Sequence, residues 1–247
     1  MGKLYVVGVG SGNYEDLTIK AYSVLKDSDF IFCDENLYKV LSRYLDVRRL
    51  VSNSYTATRE RCFNAIYSAI NNEVVSIVGS GDVGIYGISS IIIDITQEIC
   101  PKLDVEMIPG ITSFLSASSL LGSPLTKDFA VISLSDNFFE KEYSKKRIEA
   151  AAKNNFAIVF LSPCNPSNKN LIIAKKILLK YRNSDSLVGI VKHIGSINQQ
   201  VMITSIEKIK LEDIDSNTTI IVGREDTILS YTIPKRLTTQ LYHFSNV

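Results

Sequence analysis

The stretch Val74-Val75-Ser76-Ile77-Val78-Gly79-Ser80-Gly81-Asp82-Val83-Gly84-Ile85-Tyr86-Gly87 decides how this chain is read. It opens as an apolar run, broken only by the small Ser76, and such a run reads as a strand. Gly79 to Gly84 is glycine-rich, and Ile88 to Cys100 then reads as a helix. A strand entering a glycine-rich turn and then a helix is how open α/β sheets build a ligand crevice at the carboxyl ends of their strands. Glycine serves there because the backbone takes left-handed angles or comes close to another group. Asp82 is the only charge in the turn, and it has two readings: an acid facing a ligand, or a helix cap.

The turn is not a P-loop, because no Gly-Lys-Ser/Thr follows; Gly79, Gly81 and Gly84 have the Gly-x-Gly-x-x-Gly spacing, which alone is a weak sign of a dinucleotide. No Arg or Lys lies between Asn72 and Lys102. A ligand held here therefore meets no basic side chain of this segment. The turn offers backbone groups, one acid and an apolar wall.

Working outward, Lys3 to Gly8 reads as another strand, followed by a second glycine-rich turn, Gly8-Val9-Gly10-Ser11-Gly12, and a helix over Glu15 to Lys26. Phe30 to Cys33 is a strand, Asp34-Glu35-Asn36 an acidic turn, Leu37 to Leu45 a helix and Val47 to Val51 a strand. Thr58 to Asn71 is an amphipathic helix with Cys62, Ile66 and Ile70 at helical spacing. Val105 to Ile108 is a strand that ends in Pro109-Gly110-Ile111-Thr112-Ser113 and leads to a helix over Phe114 to Leu121. Thr112 and Ser113 can open that helix, face the same crevice, or do both. This alternation implies a mostly parallel sheet.

Gly122-Ser123-Pro124-Leu125-Thr126 is the linker candidate, giving domains 1–122 and 127–247. Beyond it come strands at Phe129–Leu134, Phe156–Leu161, Leu187–Lys192, Gln200–Thr204 and Thr218–Val222, with helices at Phe139–Asn154 and Leu171–Tyr181. With one long helix among the strand candidates after Phe156, this second sheet is expected to be mixed. Asp226 to Val247 carries no assignable pattern.

With 247 residues, 45% hydrophobic and 21% charged, the chain reads as a soluble α/β protein large enough for two small domains. A net charge of +1 leaves no electrostatic footprint for nucleic acid. Cys33, Cys62, Cys100 and Cys164 are scattered without a C-x-x-C pair, which excludes a disulfide scaffold and a structural zinc site and suits a reducing compartment. No signal peptide or membrane span is read, and the expected location is cytoplasmic. The two histidines, His193 and His243, form no metal-spaced pair, and no nucleophile elbow is present.

Three motifs together carry a resemblance: Val7-Gly8-Val9-Gly10-Ser11-Gly12 with Leu17-Thr18, then Gly81-Asp82-Val83-Gly84-Ile85-Tyr86-Gly87, then Pro109-Gly110-Ile111-Thr112-Ser113. In order and separation they resemble the tetrapyrrole (corrin/porphyrin) methylase family, and the likeness runs from the first strand to Gly223. Asp128 to Asp136, Lys146 to Ala152, Val188 to Val191 and Thr218 to Gly223 resemble its precorrin-3B C17-methyltransferase branch.

The resemblance implies a two-domain α/β enzyme of cobalamin biosynthesis, a homodimer, with S-adenosylmethionine in the cleft between domains. It implies cofactor contacts at Ser11, Ser80, Gly81, Asp82, Ile85, Tyr86, Thr112 and Ser113, and at Ser162, Ile194 and Thr219 in the second domain. Two departures are plain. Ser11-Gly12-Asn13 stands where the family has Pro followed by Gly-Asp, and Val83 stands where it has the Pro of Gly-Asp-Pro. Each removes a fixed φ angle.

Methyl transfer from a sulfonium needs alignment more than acid–base machinery, which suits a chain without a triad. The substrate would be a precorrin or cobalt-precorrin macrocycle, methylated at C17 with ring contraction. Ser135 and Asp136, just after a strand, are the residues expected to give polar assistance; the competing reading is an N-cap for the next helix. Arg59, Arg61, Lys127 and Lys192 are all open as partners for substrate carboxylates. His193 is either a ligand to the substrate's cobalt or a surface histidine. The rival functions are methylation of another ring carbon, a non-catalytic sensor of S-adenosylmethionine or a tetrapyrrole, and methylation of a protein side chain.

Overall fold

The structure is a computed structural model that describes residues 2–52, 57–71, 73–164, 167–230 and 234–239. Its chain divides into two units, Met1–Ser113 and Phe114–Val247. In the first unit strands and helices alternate: β1 (Lys3–Gly8), α1 (Ile19–Asp27), β2 (Phe30–Cys33), α2 (Glu35–Leu41), β3 (Leu50–Ser52), α3 (Thr58–Ile70), β4 (Val74–Gly79), α4 (Ser89–Ile99) and β5 (Asp104–Ile108). The strands form one parallel sheet in the order β3-β2-β4-β1-β5. Strand residues alternate between its two faces. Leu4, Val6, Val75 and Ile77 pack with Cys62, Ile66, Ile92 and Ile95 of α3 and α4. Val7, Ile31, Cys33 and Val78 pack with Ala21, Leu25, Leu37 and Leu41 of α1 and α2. Ser76, the one polar residue in the β4 run, shares a 2.7 Å hydrogen bond with Ser28, whose hydroxyl also reaches Val24 O. That satisfies a buried hydroxyl that would otherwise cost stability.

Local hydrogen bonds moved several boundaries. The helix expected from Glu15 starts at Ile19, because Thr18 Oγ1 accepts from Ala21 N at 3.0 Å and caps it; Tyr14–Asp16 is a 3-10 turn. Asp34 likewise caps α2 by accepting from Leu37 N at 2.9 Å, so Glu35 and Asn36 are helical rather than a turn. Val47–Arg49 is a 3-10 turn fixed by Asp46, leaving only Leu50–Ser52 as strand.

The second unit follows α5 (Ser113–Leu121) with β6 (Gly122–Ser123), β7 (Phe129–Ser133), α6 (Lys141–Lys153), β8 (Ala157–Leu161), α7 (Lys169–Tyr181), β9 (Leu187–Lys192), β10 (Gln200–Ser205), β11 (Thr218–Val222), β12 (Thr227–Leu229) and β13 (Leu237–Thr239). Its main sheet, β10-β9-β11-β8-β7, is mixed: β7 and β8 are parallel, and the other pairs are antiparallel. One face carries α6 and α7, and the other carries Phe114, Ala117 and Leu121 of α5. Gly122–Ser123, at the start of the expected linker, is a short strand that pairs with β13. The unassigned tail supplies β12 and β13, so that three short strands make a second sheet.

Candidate functional site

In the first unit β4, β1 and β5 are neighbours and parallel, so the loops after them leave one edge of the sheet together. Gly10 and Gly81 are joined by two backbone hydrogen bonds, of 3.1 and 2.7 Å. Gly8, Gly81 and Gly110 meet backbone to backbone: a Cβ on Gly110 would lie 2.2 Å from Gly81 O and 2.5 Å from Gly8 C. Asp82 ties the arrangement. Its Oδ1 accepts from Gly84 N at 2.8 Å and its Oδ2 from Gly110 N at 3.0 Å. The capping reading of Asp82 therefore does not hold; α4 starts at Ser89, with Ile88 at its N-cap.

The first loop lacks its proline but is pinned in other ways. Ser11 Oγ donates to Asp16 Oδ2, and Tyr44 Oη donates to Gly12 O at 2.7 Å. Gly10, Gly12 and Gly81 are left-handed, at φ 59°, 88° and 67°. Val83 is buried beneath the second loop, whereas Ser80, Ile85 and Tyr86 are exposed on it. Tyr86 holds φ 50°, a strained angle for a residue with a Cβ. Thr112 is buried beside Gly81, and Ser113 begins α5. The loops thus present backbone amides and carbonyls, hydroxyls, the exposed Tyr14, Ile85 and Tyr86 side chains and no Lys or Arg.

In the second unit β8 runs parallel to β7, and β11 is antiparallel to both β8 and β9. The carboxyl ends of β7, β8 and β9 and the start of β11 therefore share one edge. That edge carries Ser135, Ser162, His193, Ile194, Thr218 and Thr219. Ser135 is buried, and its carbonyl accepts from Phe138 N and Phe139 N, closing a turn that delays α6 until Lys141. Neither Ser135 nor Asp136 caps α6, whose N-cap is Glu140. Asp136 is exposed and accepts from Asn170 Nδ2 at 2.7 Å, which also holds Leu134 O. Ser162 and His193 both have left-handed backbones, at φ 48° and 50°.

Asp215 was not anticipated from the sequence. Its Oδ1 accepts from Thr218 Oγ1 at 2.8 Å and Asn217 N at 2.9 Å, and its Oδ2 lies 3.0 Å from His193 Nε2 and 3.4 Å from Lys192 Nζ. Burial pushes its carboxyl up, but the Thr218 and Asn217 hydrogen bonds and the His193 and Lys192 charges outweigh it and hold the carboxyl below the usual range. The only advance signal was the Asp215-Ser216-Asn217-Thr218 turn before a strand.

Among the four basic residues left open, Lys127 is paired with Asp226 at 2.6 Å and Lys192 with Asp215. Arg59 lines an apolar hollow of about 530 Å³ with Phe63, Ile95 and Ile99, and Arg61 Nε is buried without a partner among the described residues. His243 lies outside the described residues. Among the described residues no group of three or more His, Cys, Asp and Glu could hold a metal ion, and no helix is long and apolar enough to cross a membrane.

The model of the tetrapyrrole (corrin/porphyrin) methylases matches residues 3–210, and the chain belongs to that family. It is similar to the cobalt-factor III methyltransferase of Priestia megaterium, 33% identical over 92% of this chain and 43% of that protein. It is also similar to a probable cobalt-factor III C(17)-methyltransferase of Methanocaldococcus jannaschii, 34% identical over 91% of this chain and 92% of that one. The chain thus spans about half the length of some relatives, at 43% and 50%, and nearly the whole of others. Among solved structures, the methyltransferase CobJ superposes with a TM-score of 0.87 at 24% identity, covering 97% of this chain and 100% of that one. A uroporphyrin-III C-methyltransferase from Thermus thermophilus, complexed with S-adenosylhomocysteine, superposes with a TM-score of 0.67 at 22% identity, covering 90% and 92%. These superpositions show a shared fold.

Proposed function

We propose that the chain transfers a methyl group from S-adenosylmethionine to C17 of a cobalt-factor III-type tetrapyrrole, coupled to ring contraction, in cobalamin biosynthesis. The cobalt belongs to the substrate. The observation that carries this is the junction of Gly8, Gly10, Gly81 and Gly110 closed by Asp82, in a chain whose relatives are named as cobalt-factor III methyltransferases, one of them at C17.

The junction fits the cofactor chemically. S-adenosylmethionine has no phosphate, and the loops have no cation. Its adenosine and amino-acid ends suit backbone amides and carbonyls, the hydroxyls of Ser11, Ser80, Thr112 and Ser113, and the exposed Ile85 and Tyr86. Ser162, Ile194 and Thr219 are the contacts proposed from the second unit. When bound, the cofactor supplies an activated methyl, and the protein's share is to hold it in line with the acceptor carbon. Ser135 and Asp136 are proposed to give polar assistance at the end of β7. The family resemblance extends the proposal to a homodimeric, cytoplasmic enzyme.

The test is anaerobic incubation with S-adenosylmethionine and either cobalt-factor III or metal-free precorrin-3B, followed by mass spectrometry and location of the new carbon. One methyl gained at C17 of the cobalt form is the expected result. A methyl on another carbon would move the chain to a different step, and cofactor binding without turnover of either form would make it a sensor. Asp82→Ala should weaken cofactor binding more than tenfold by calorimetry; unchanged affinity would remove Asp82 from the site.

A further inference from the structure

We propose that Arg61 binds a carboxylate of the ligands taken up at the carboxyl edge of the first sheet; this rests on the function proposed above and assigns the charge recognition within it.

The fold gives the position. α3 follows β3, and β3 is parallel to its neighbour, so the start of α3 lies at the edge from which the loops after β1, β4 and β5 also leave. Arg61 is the fourth residue of α3, one turn ahead of the fully buried Ala65, and so belongs to the side of the helix turned to the sheet. Arg59, by contrast, lines the outer hollow with Ile95 and Ile99 of α4. The Arg61 charge reaches the end of β2: burial and the Asp34 carboxylate push the Cys33 thiol up to about 12, and Arg61 acts against them. β2 is the neighbour of β4, with Phe32 opposite Ile77, and adjacent strands are about 4.8 Å apart. Arg61 therefore stands beside the strand that enters the Gly79–Asp82 turn, within the same unit of the protein.

The group is a charge without a counter-charge. Arg61 is half-buried, and its Nε is enclosed with no hydrogen-bond partner among the described residues. No described carboxylate pairs with it; Asp34 is engaged by Leu37 N, from which it accepts at 2.9 Å. The helix does not explain the residue either, because a cation in the first turn meets the positive end of the helix dipole. A cation drawn out of water is unfavourable unless an anion or hydrogen-bond acceptors meet it. Arg182 shows a purely structural arginine in this chain: it donates to three carbonyls and to Asn155 Oδ1.

The ligands supply the anion. The glycine-rich loops have no Lys or Arg, so they offer backbone groups and hydroxyls but no positive charge. S-adenosylmethionine has a carboxylate at its amino-acid end, and a precorrin-type macrocycle carries acetate and propionate side chains around its rim. A guanidinium holds both oxygens of a carboxylate at once, which an ammonium does not. With Nε enclosed, the two terminal nitrogens are the ones that meet a ligand. The macrocycle is the expected source, because it is broad enough to reach from the β1 and β4 loops across to β2.

The rival is an arginine that only packs against its own unit. Full-length wild type, Arg61→Gln, Arg61→Lys and Arg59→Gln are compared by melting temperature, by calorimetric titration with S-adenosylmethionine, and by anaerobic titration with cobalt-factor III followed by its absorption spectrum. Arg61→Gln should weaken macrocycle binding about 10–100-fold, the worth of a charge-assisted hydrogen bond, and leave the melting temperature and cofactor affinity unchanged. Arg61→Lys should fall between, and Arg59→Gln should bind as the wild type does. A loss of S-adenosylmethionine affinity instead assigns the same contact to the amino-acid end of the cofactor. An Arg61→Gln protein that binds both ligands within about threefold of wild type, well inside that range, overturns the proposal. An equal loss in Arg59→Gln also overturns it, since that reports net charge alone. A wild type that binds the macrocycle but does not methylate it, with Arg61→Gln still weakened, overturns the function and leaves this contact standing. If Arg61→Gln does not fold, salt decides: wild-type affinities for both ligands that do not weaken as salt rises overturn the proposal.

Discussion

Gly110→Ala is the substitution that most directly tests the junction of the three loops. The added Cβ would lie 2.2 Å from Gly81 O, 2.5 Å from Gly8 C and 2.6 Å from Gly8 O. The shortest of these is about 1 Å inside the ~3.3 Å at which a carbon ordinarily meets a carbonyl oxygen. All three obstacles are backbone, and Gly81 is itself held by its two bonds to Gly10, so no rotamer change gives relief. The β5 loop must move away, and the Gly110 N–H then leaves Asp82. Overpacking costs about 1–3 kcal/mol, and a hydrogen bond to a charged group adds about 1.5–3, so the expected loss is about 2.5–6 kcal/mol. Gly81→Ala is the control. Its Cβ would come no closer than 3.5 Å to a neighbour, and the cost is only the left-handed angle of 67°, about 1–2 kcal/mol. At about 2–4 °C per kcal/mol for a chain of this size, Gly110→Ala should lower the melting temperature by about 10 °C and Gly81→Ala by about 4 °C. Thermal unfolding followed by circular dichroism and calorimetric titration with S-adenosylmethionine read both effects. A Gly110→Ala melting temperature no lower than that of Gly81→Ala refutes the backbone contact. A lowered one with unchanged affinity refutes the placing of the cofactor on these loops.

Arg182 is buried and donates to Ala152 O, Ala151 O, Phe156 O and Asn155 Oδ1 at 2.7–3.3 Å, fastening the end of α6 to the start of β8. Arg182→Met should cost about 2–4 kcal/mol in urea denaturation, because buried carbonyls lose their donors; a loss under about 1 kcal/mol would mean water replaces the guanidinium. Glu106 is held down to about 2 from its ordinary 4.5 chiefly by its hydrogen bonds to Lys20 and Lys3. A carboxyl lowered on folding stabilises fully above its unfolded value and loses that contribution as pH falls toward the folded value. Glu106→Gln should therefore flatten the stability profile between about pH 4.5 and 2, most clearly at low salt; an unchanged profile there counts against the ion cluster.

The strands and the parallel first sheet were legible because both faces of that sheet are covered, so β4 and β1 read as continuous apolar runs. Asp82 was legible as an anomaly, a charge among glycines. Its partner was not, because Gly110 lies on another loop, and β1 intervenes between their strands. Ser76 looked like an interruption, and only the fold brings Ser28 to it. Thr18 and Asp34 are residues that cap helices, and weighing them would have placed the starts of α1 and α2 correctly. Strands β6, β12 and β13 have two or three residues each, too few to show a period of two. His193 and Asp215 meet because β9 and β11 pair antiparallel with Lys192 opposite Thr218. That register has no local signature.

The missing prolines show how this chain keeps its loops in order. A proline restricts the unfolded chain and contributes about 0.4–1 kcal/mol in that way. At Ser11 the chain substitutes the Ser11–Asp16 and Tyr44–Gly12 hydrogen bonds, at about 0.5–1.5 kcal/mol each and more where a carboxylate accepts. At Val83 it substitutes a side chain that is 3% exposed, packed with Ile77 and Ile92, and burial of such a side chain is worth about 1.5–3 kcal/mol. These contributions match or exceed what a proline supplies, but they exist only in the folded state. Loop order here is therefore coupled to the α2–Tyr44 segment and to the α3–α4 face of the core. Tyr44→Phe removes one such contact without touching any proposed ligand residue, and it should loosen the first loop by the worth of that bond. If cofactor affinity falls with it, the glycine-rich turn depends on anchors more than thirty residues away in sequence.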